Sequence, residues 1–216
     1  MAGINRRSLS EQLYQQIRDD IITGKLKQGE KINMKELQEE YQVSMTPLRE
    51  AMLKLAQDRY VESFTNQYSR VIEITDDDIR SLLDLCSMYD CYSIERCLAL
   101  DADTRAELIT KLEEALDAQA RHIELQNSGT EEFEAVFNNF HSTVYAYSGN
   151  PWLLENATQA NRLLVLADNN KTKNDYPMEA LEEHRRILDA IREGDPDEAL
   201  KASRYHRSKE RERFGV

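Results

Sequence analysis

Residues 43–56 read VSMTPLREAMLKLA. Ser44 or Thr46 can cap a helix here, and Pro47 suits its first turn, where a missing N–H costs nothing. Leu48, Met52 and Leu55 recur at helical spacing as an inward stripe, while Arg49, with Lys54 on a neighbouring face, projects outward. The helix presents a polar and basic first turn, with Met45 where another polar group is expected. Upstream, SLSEQLYQQIRDDIIT over 8–23 sets Leu9, Leu13, Ile17 and Ile21 on one helical face. Gly24 ends that helix, Gly29 marks a tight turn in GKLKQGEKI, and a short helix runs from Met34 to Tyr41. Downstream, 60–64 and 69–74 alternate as two strands, with Thr65, Asn66, Gln67 and Tyr68 as the turn between them. Three helices plus a β-hairpin wing make a winged helix-turn-helix. A small helical domain with a purely structural hairpin would leave the polar first turn of the third helix unexplained.

The chain has 216 residues, 28 Lys and Arg against 40 Asp and Glu, and a net charge of −12. That average hides an asymmetry. Residues 1–74 hold 11 basic and 11 acidic residues, and residues 75–216 hold 17 and 29. A phosphate-binding surface needs local positive charge rather than a basic whole, so the neutral first part can meet nucleic acid and the acidic remainder would be repelled. No apolar run is long enough to span a bilayer and residues 1–20 lack a secretory core, which makes the cytoplasm the expected compartment and excludes a membrane partner. Cys86, Cys91 and Cys97 show no CxxC spacing and read as small apolar residues in a reducing compartment.

From Thr75 the pattern changes. Thr75 with Asp76, Asp77 and Asp78 forms an N-cap followed by acids that favour the helix dipole. Helices are expected near 76–100, 103–126, 130–147, 151–169, 177–193 and 196–213, with breaks at Gly149-Asn150-Pro151 and Gly194-Asp195-Pro196. The expected fold is mostly α: a winged helix-turn-helix over 1–74 and an all-α antiparallel bundle over 75–216.

This order of parts resembles the GntR family of bacterial transcription regulators, in its FadR-like branch with an FCD ligand-binding domain. The resemblance is carried by Ile22 to Ile32 (ITGKLKQGEKI) and Val43 to Ala51 (VSMTPLREA). In the second part it is carried by Phe140-His141, Ser148-Gly149-Asn150, Glu183-His184, Gly194-Asp195 and His206. It implies a homodimer on a pseudo-palindromic double-stranded DNA operator, acting as a repressor whose affinity a small-molecule effector modulates.

By that resemblance Lys35, Ser44, Met45, Thr46 and Arg49 contact DNA, joined by Asn66 and Gln67 at the wing. Arg49 is suited to fork onto guanine O6 and N7. Arg6, Arg7, Lys25 and Lys27 are candidate phosphate contacts, with solvated surface charge an equal reading. Two residues depart from the pattern. Met45 stands where relatives carry Arg, and Tyr68 where the wing carries glycine. Glu50 reads as a structural partner within the domain, since a carboxylate facing phosphate would be repelled.

The resemblance also implies a metal centre at His141, His184 and His206, with Zn or Ni suited to three neutral imidazoles. The Asp expected four residues before His141 is replaced by Phe137, leaving the Asn138 amide, water or an effector oxygen to complete the shell. For the effector, an organic acid in many relatives, Cys86 takes the place of the usual Arg and Asp90 that of the usual Glu. Arg162 is the remaining candidate anchor. Tyr89, Tyr92, Tyr145 and Trp152 read as core or interface aromatics, and His122 as exposed. Two alternatives stay open: a regulator with a decayed, unresponsive pocket, and a metal-dependent enzyme built on the histidines, which would leave the DNA-binding half unexplained. No enzyme is expected.

Overall fold

The hydroxyl of Ser8 accepts from the Glu11 amide at 3.2 Å and starts α1, Leu9–Ile22. A computed structural model describes residues 8–64, 68–124, 131–172 and 178–216. Arg6, Arg7, Asn66 and Gln67 lie outside the described residues. The chain folds as two compact units, one ending at Ile74 and the next beginning at Thr75.

In the first unit α1 is followed by β1 (Lys31–Ile32), α2 (Met34–Tyr41), α3 (Met45–Gln57), β2 (Val61–Phe64) and β3 (Tyr68–Val71). Leu13, Tyr14, Ile17 and Ile21 of α1 are buried with Leu48, Ala51, Met52 and Leu55 of α3. Each side presents apolar residues three and four apart, so α1 and α3 pack as two stripes. The wing is more than a hairpin. The sheet runs β1-β3-β2, with Ile32 opposite Ser69 and Phe64 opposite Tyr68, all antiparallel. Two-residue β1 is too short to carry a period, which is why sequence reading takes it for a turn. Tyr68, expected in the turn, is the first residue of β3. Gly29 has φ +72°, which a side chain would strain, and its N–H donates to the Val71 carbonyl at 3.1 Å.

Two part-buried contacts fix α3 and α2 on α1. The Tyr14 hydroxyl donates to Asp58 at 2.6 Å, just past the end of α3. Buried Asp20 accepts from the Tyr41 hydroxyl at 2.6 Å and from Lys25 at 2.9 Å.

The second unit holds, among the described residues, α4 (Asp76–Leu98), α5 (Ala102–Glu124), α6 (Glu131–Tyr147), α7 (Pro151–Thr172), α8 (Met178–Glu193) and α9 (Pro196–Phe214). Thr75 and Asp78 form a reciprocal capping box on α4. Asp195 caps α9, with Pro196 in its first turn. Helix α4 packs against α6, α7 and α9, and α8 against α5 and α9. An apolar cluster that includes Leu112, Phe140, Leu181 and Ile191 fills the centre. No helix among the described residues is long and apolar enough to cross a membrane.

Candidate metal centre and nucleic-acid interface

A bundle core of this size should be apolar, because burying a polar group costs free energy unless it is paired. This one is polar at one place. Asp90, Gln119, His141, Glu183, His184, His206 and Arg207 are all buried, drawn from α4, α5, α6, α8 and α9.

The three histidines converge through their Nε2 atoms. His141 Nε2 lies 3.2 Å from His206 Nε2 and 3.1 Å from His184 Nε2. One nitrogen from each ring falls within 4.8 Å of the others. Behind each ring an oxygen holds the other nitrogen. Asp90 Oδ1 is 3.3 Å from His141 Nδ1, Gln119 Oε1 is 3.1 Å from His184 Nδ1, and Glu183 Oε2 is 2.8 Å from His206 Nδ1. Phe140 stacks on the His184 ring at 4.4 Å between centroids. Nδ1 of His184 and of His206 faces an oxygen, and Nδ1 of His141 is shared between Asp90 and the Arg207 Nη2 at 3.1 Å, which leaves the three Nε2 atoms turned on one another. A cation is a group that can satisfy all three at once. Burial pushes the His141 imidazole down to about 4 and His184 well below its ordinary value, so both are neutral near pH 7. The donor set suits Zn²⁺, which takes three imidazoles and keeps a further position open.

Arg207 closes the back of the site. Its Nε donates to Asp90 Oδ2 at 2.6 Å, Nη1 to Glu210 Oε2 at 2.6 Å, and Nη2 to Asn161 Oδ1 at 3.2 Å. Asp90 also accepts from the Tyr145 hydroxyl at 2.7 Å. Although burial pushes the Asp90 carboxyl up, Arg207 and His141 hold it well below the usual carboxylate range. Burial likewise opposes the Glu210 carboxylate, and Arg207 with His206 brings it down to about 2. Glu183 is held ionised by His206 and by Arg213, whose Nη1 lies 2.8 Å from Glu183 Oε1.

Several expectations change here. Asp90, taken as an effector contact, is an internal partner of Arg207, Tyr145 and His141. Asn138 is buried and its Oδ1 accepts at 2.8 Å from Asn161, whose own Oδ1 accepts from the Arg207 guanidinium beside His141. Arg162 is half-buried on α7, and the guanidinium beside His141 and Asp90 is that of Arg207. His122, expected on the surface, is buried edge-on against Phe137 at 5.3 Å, because α5 packs on α6. Tyr145 lines the site, while Trp152 is 77% exposed rather than core. Arg207, Glu210 and Gln119 were missed. The signal is present: Ser203, His206, Arg207 and Glu210 stand at three- and four-residue spacings, a polar stripe along a charged helix.

In the first unit the N-cap residue of α3 is Ser44, and neither its hydroxyl nor that of Thr46 caps the helix by a side-chain bond. Both are exposed, as are Arg49 and, in the first turn of α2, Lys35. Lys35 and Arg49 pair with no acid among the described residues. Met45 is half-buried. Two other basic side chains are engaged. Lys25 binds Asp20 at 2.9 Å and Glu40 at 2.8 Å. Lys54 binds Glu11 at 2.8 Å over the Tyr14 ring. Lys27 is exposed. Glu50 is exposed too, with no partner among the described residues, and so is not the internal contact expected of it. Arg70 in the wing pairs with Glu62 at 2.8 Å.

Comparison with known proteins agrees with this division. Residues 9–71 match the model of bacterial regulatory proteins of the gntR family, and residues 82–209 match that of the FCD domain. An uncharacterised HTH-type transcriptional regulator of Bacillus subtilis, YdhC, is 28% identical over 191 residues, covering 87% of this chain and 83% of its own. A probable D-xylose utilization operon transcriptional repressor of Paenarthrobacter nicotinovorans is 27% identical over 213 residues, covering 95% of this chain and 90% of its own. Among solved structures, a GntR regulator of Rhodococcus sp. RHA1 has the same fold. It matches with TM-score 0.73 at 20% identity over 96% of this chain and 98% of that one.

Proposed function

We propose, for a chain that belongs to the GntR family of bacterial regulatory proteins and carries an FCD domain, a metal-dependent repressor that binds its operator as a homodimer. The chain is a DNA-binding transcriptional regulator rather than an enzyme. The D-xylose operon relative, itself described as a probable repressor, supports that sign of action here.

In this reading α3 enters the major groove. Ser44 and Thr46 meet phosphate oxygens or base edges, Arg49 reads guanine, Lys35 meets the backbone, and Asn66 and Gln67 extend the wing. Met45 cannot donate a hydrogen bond, but its thioether can pack on a thymine methyl, so the operator differs from that of relatives with Arg there. One unit reads a half-site, and two-fold pairing of chains reads a pseudo-palindrome. Helix α4 exposes Leu85, Met88 and Tyr92 on adjacent turns, an apolar stripe that supports pairing through this helix.

The observation that carries the effector half is the convergence of His141, His184 and His206 Nε2 over fixed Nδ1 partners. A divalent metal such as Zn or Ni held there acts as a Lewis acid that can accept an oxygen of a small effector, an organic acid being the class the resemblance implies. Coupling to DNA then requires that effector or metal bind the DNA-competent and incompetent forms with different affinity. The second reading, a pocket that has lost its response, has buried Phe137 in its favour.

Selection from random DNA tests the first half, and no enriched palindrome would contradict it. Operator titrations with the metal-free and Zn²⁺-loaded protein, each with a panel of organic acids, test the second. Affinity that moves with metal or acid supports coupling; affinity unchanged throughout supports the unresponsive pocket.

A further inference from the structure

We propose that Glu210 supplies an anionic ligand to the metal assigned to His141, His184 and His206, an inference that rests on that centre. Three carboxylates approach the rings. Asp90 and Glu183 lie behind them, on His141 Nδ1 and His206 Nδ1. Glu210 comes to the other side: its Oε2 is 3.7 Å from His206 Nε2, the nitrogen that faces the centre. Among the described residues it is the carboxylate recorded on that side.

The placement follows from helix geometry. Glu210 stands four residues after His206 on α9, so the two side chains rise from one face a single turn apart. Two ligands of a tetrahedral zinc, each about 2.0–2.1 Å from it, are roughly 3.4 Å apart. The observed 3.7 Å to His206 Nε2 is near that spacing, but the group whose ligand atoms all lie within 4.8 Å of one another is the three histidines without Glu210, so the carboxylate must swing inward to ligate. Arg207 aims that swing. Its Nη1 donates at 2.6 Å to Glu210 Oε2, the same oxygen that approaches His206, so ligation turns the carboxylate until one oxygen meets the ion and the other the guanidinium.

Charge favours the same assignment. Three neutral imidazoles offset none of a dication's charge. The carboxylates Asp90, Glu183 and Glu210 outnumber by one the guanidiniums that touch them, Arg207 and Arg213. An ionised oxygen ligand also widens the range of metals toward harder ions such as Mn²⁺. The Glu210 side chain remains 18% exposed, so it sits where an ion entering from solvent would meet it. Four protein ligands still leave a fifth position, because zinc expands its shell.

Full-length protein freed of metal is titrated with Zn²⁺ and with Mn²⁺ against a chromophoric chelator, and with Co²⁺ by visible absorbance, for wild type, Glu210→Gln and His184→Ala. Glu210→Gln is expected to bind Zn²⁺ at least about tenfold more weakly, a loss that even partners behind the ligands produce. It should lose proportionally more for Mn²⁺ and change the Co²⁺ spectrum. Equal affinities and an unchanged spectrum in Glu210→Gln, beside a wild type that binds and a His184→Ala that does not, overturn the Glu210 assignment and leave the histidine centre standing. A wild type that takes up no more metal than His184→Ala overturns the centre itself. If Glu210→Gln does not fold, the crystal structure of the Zn²⁺-loaded wild type decides. A Glu210 oxygen about 2.0–2.2 Å from the ion supports the assignment, and water in its place contradicts it.

Discussion

Arg207 Nε donates to Asp90 Oδ2 at 2.6 Å and so ties α9 to α4 across 117 residues of sequence. Both partners are buried, and the same guanidinium holds Glu210, which stands at the mouth of the histidine cluster. A pair of this kind costs several kcal/mol to desolvate, so its members are interdependent. Asp90→Asn or Arg207→Met should each lower unfolding free energy by about 3–5 kcal/mol, because each strands a buried charge. The double variant should lose less than the sum of the singles. Urea unfolding of the four proteins checks this; single losses under about 1 kcal/mol, of the size of a surface pair, would show the contact to be incidental.

The imidazoles give the metal-free protein a characteristic acid sensitivity. Burial holds His141 at about 4 and His184 well below its ordinary value, whereas both titrate near 6.5 in an unfolded chain. The unfolded state therefore takes up protons first as pH falls. The stability these residues lend is complete above about pH 6.5 and is lost as pH drops from there toward the folded values, by about 1.4 kcal/mol per pH unit for each histidine. Melting temperatures of metal-free protein should fall steadily from pH 7 to pH 5. A flat profile over that range would mean that the rings are protonated or solvated in the folded state.

Much of this was legible in the sequence because local chemistry decided it. Thr75 marks a helix start through hydrogen bonds made within three residues, and the break at Gly194-Asp195-Pro196 is where α9 begins. The third helix was legible through Leu48, Met52 and Leu55. What stayed hidden depends on partners far along the chain. Lys25 looks like a phosphate contact until Asp20 and Glu40 are seen to hold it. Arg207 looks like one more solvated charge in the last helix until α4 brings Asp90 to it. His122 carries no local mark of burial, since only the packing of α5 on α6 encloses it. Strand β1 exists because β3 lies beside it.

For DNA, Arg49 is exposed and is the side chain proposed to read a base, and Met45 is the departure. Arg49→Ala should weaken operator binding by about 1–3 kcal/mol and relax preference at one base pair of each half-site. Met45→Arg should shift the selected sequence toward that of relatives with Arg at this place. Repeating the selection with each variant checks both. An Arg49→Ala protein with the wild-type sequence preference would remove this residue from the reading surface.

The exposed stripe on α4 bears on assembly. Met88→Glu introduces a charge among Leu85, Met88 and Tyr92, where it has no buried partner to strand in an isolated chain. Sedimentation should find wild type as a dimer and the variant as a monomer that keeps its helical content. A variant as dimeric as wild type would place the pairing surface elsewhere.

The central proposal is that His141, His184 and His206 together hold a metal ion. Titration of metal-free, full-length protein with Zn²⁺ measures this directly. The wild type should bind one ion per chain, with a gain in stability of about 2.7 kcal/mol when free metal exceeds Kd a hundredfold. Replacing any one of the three histidines with alanine should abolish that tight site. Wild type and variants that bind Zn²⁺ alike, or not at all, would contradict it.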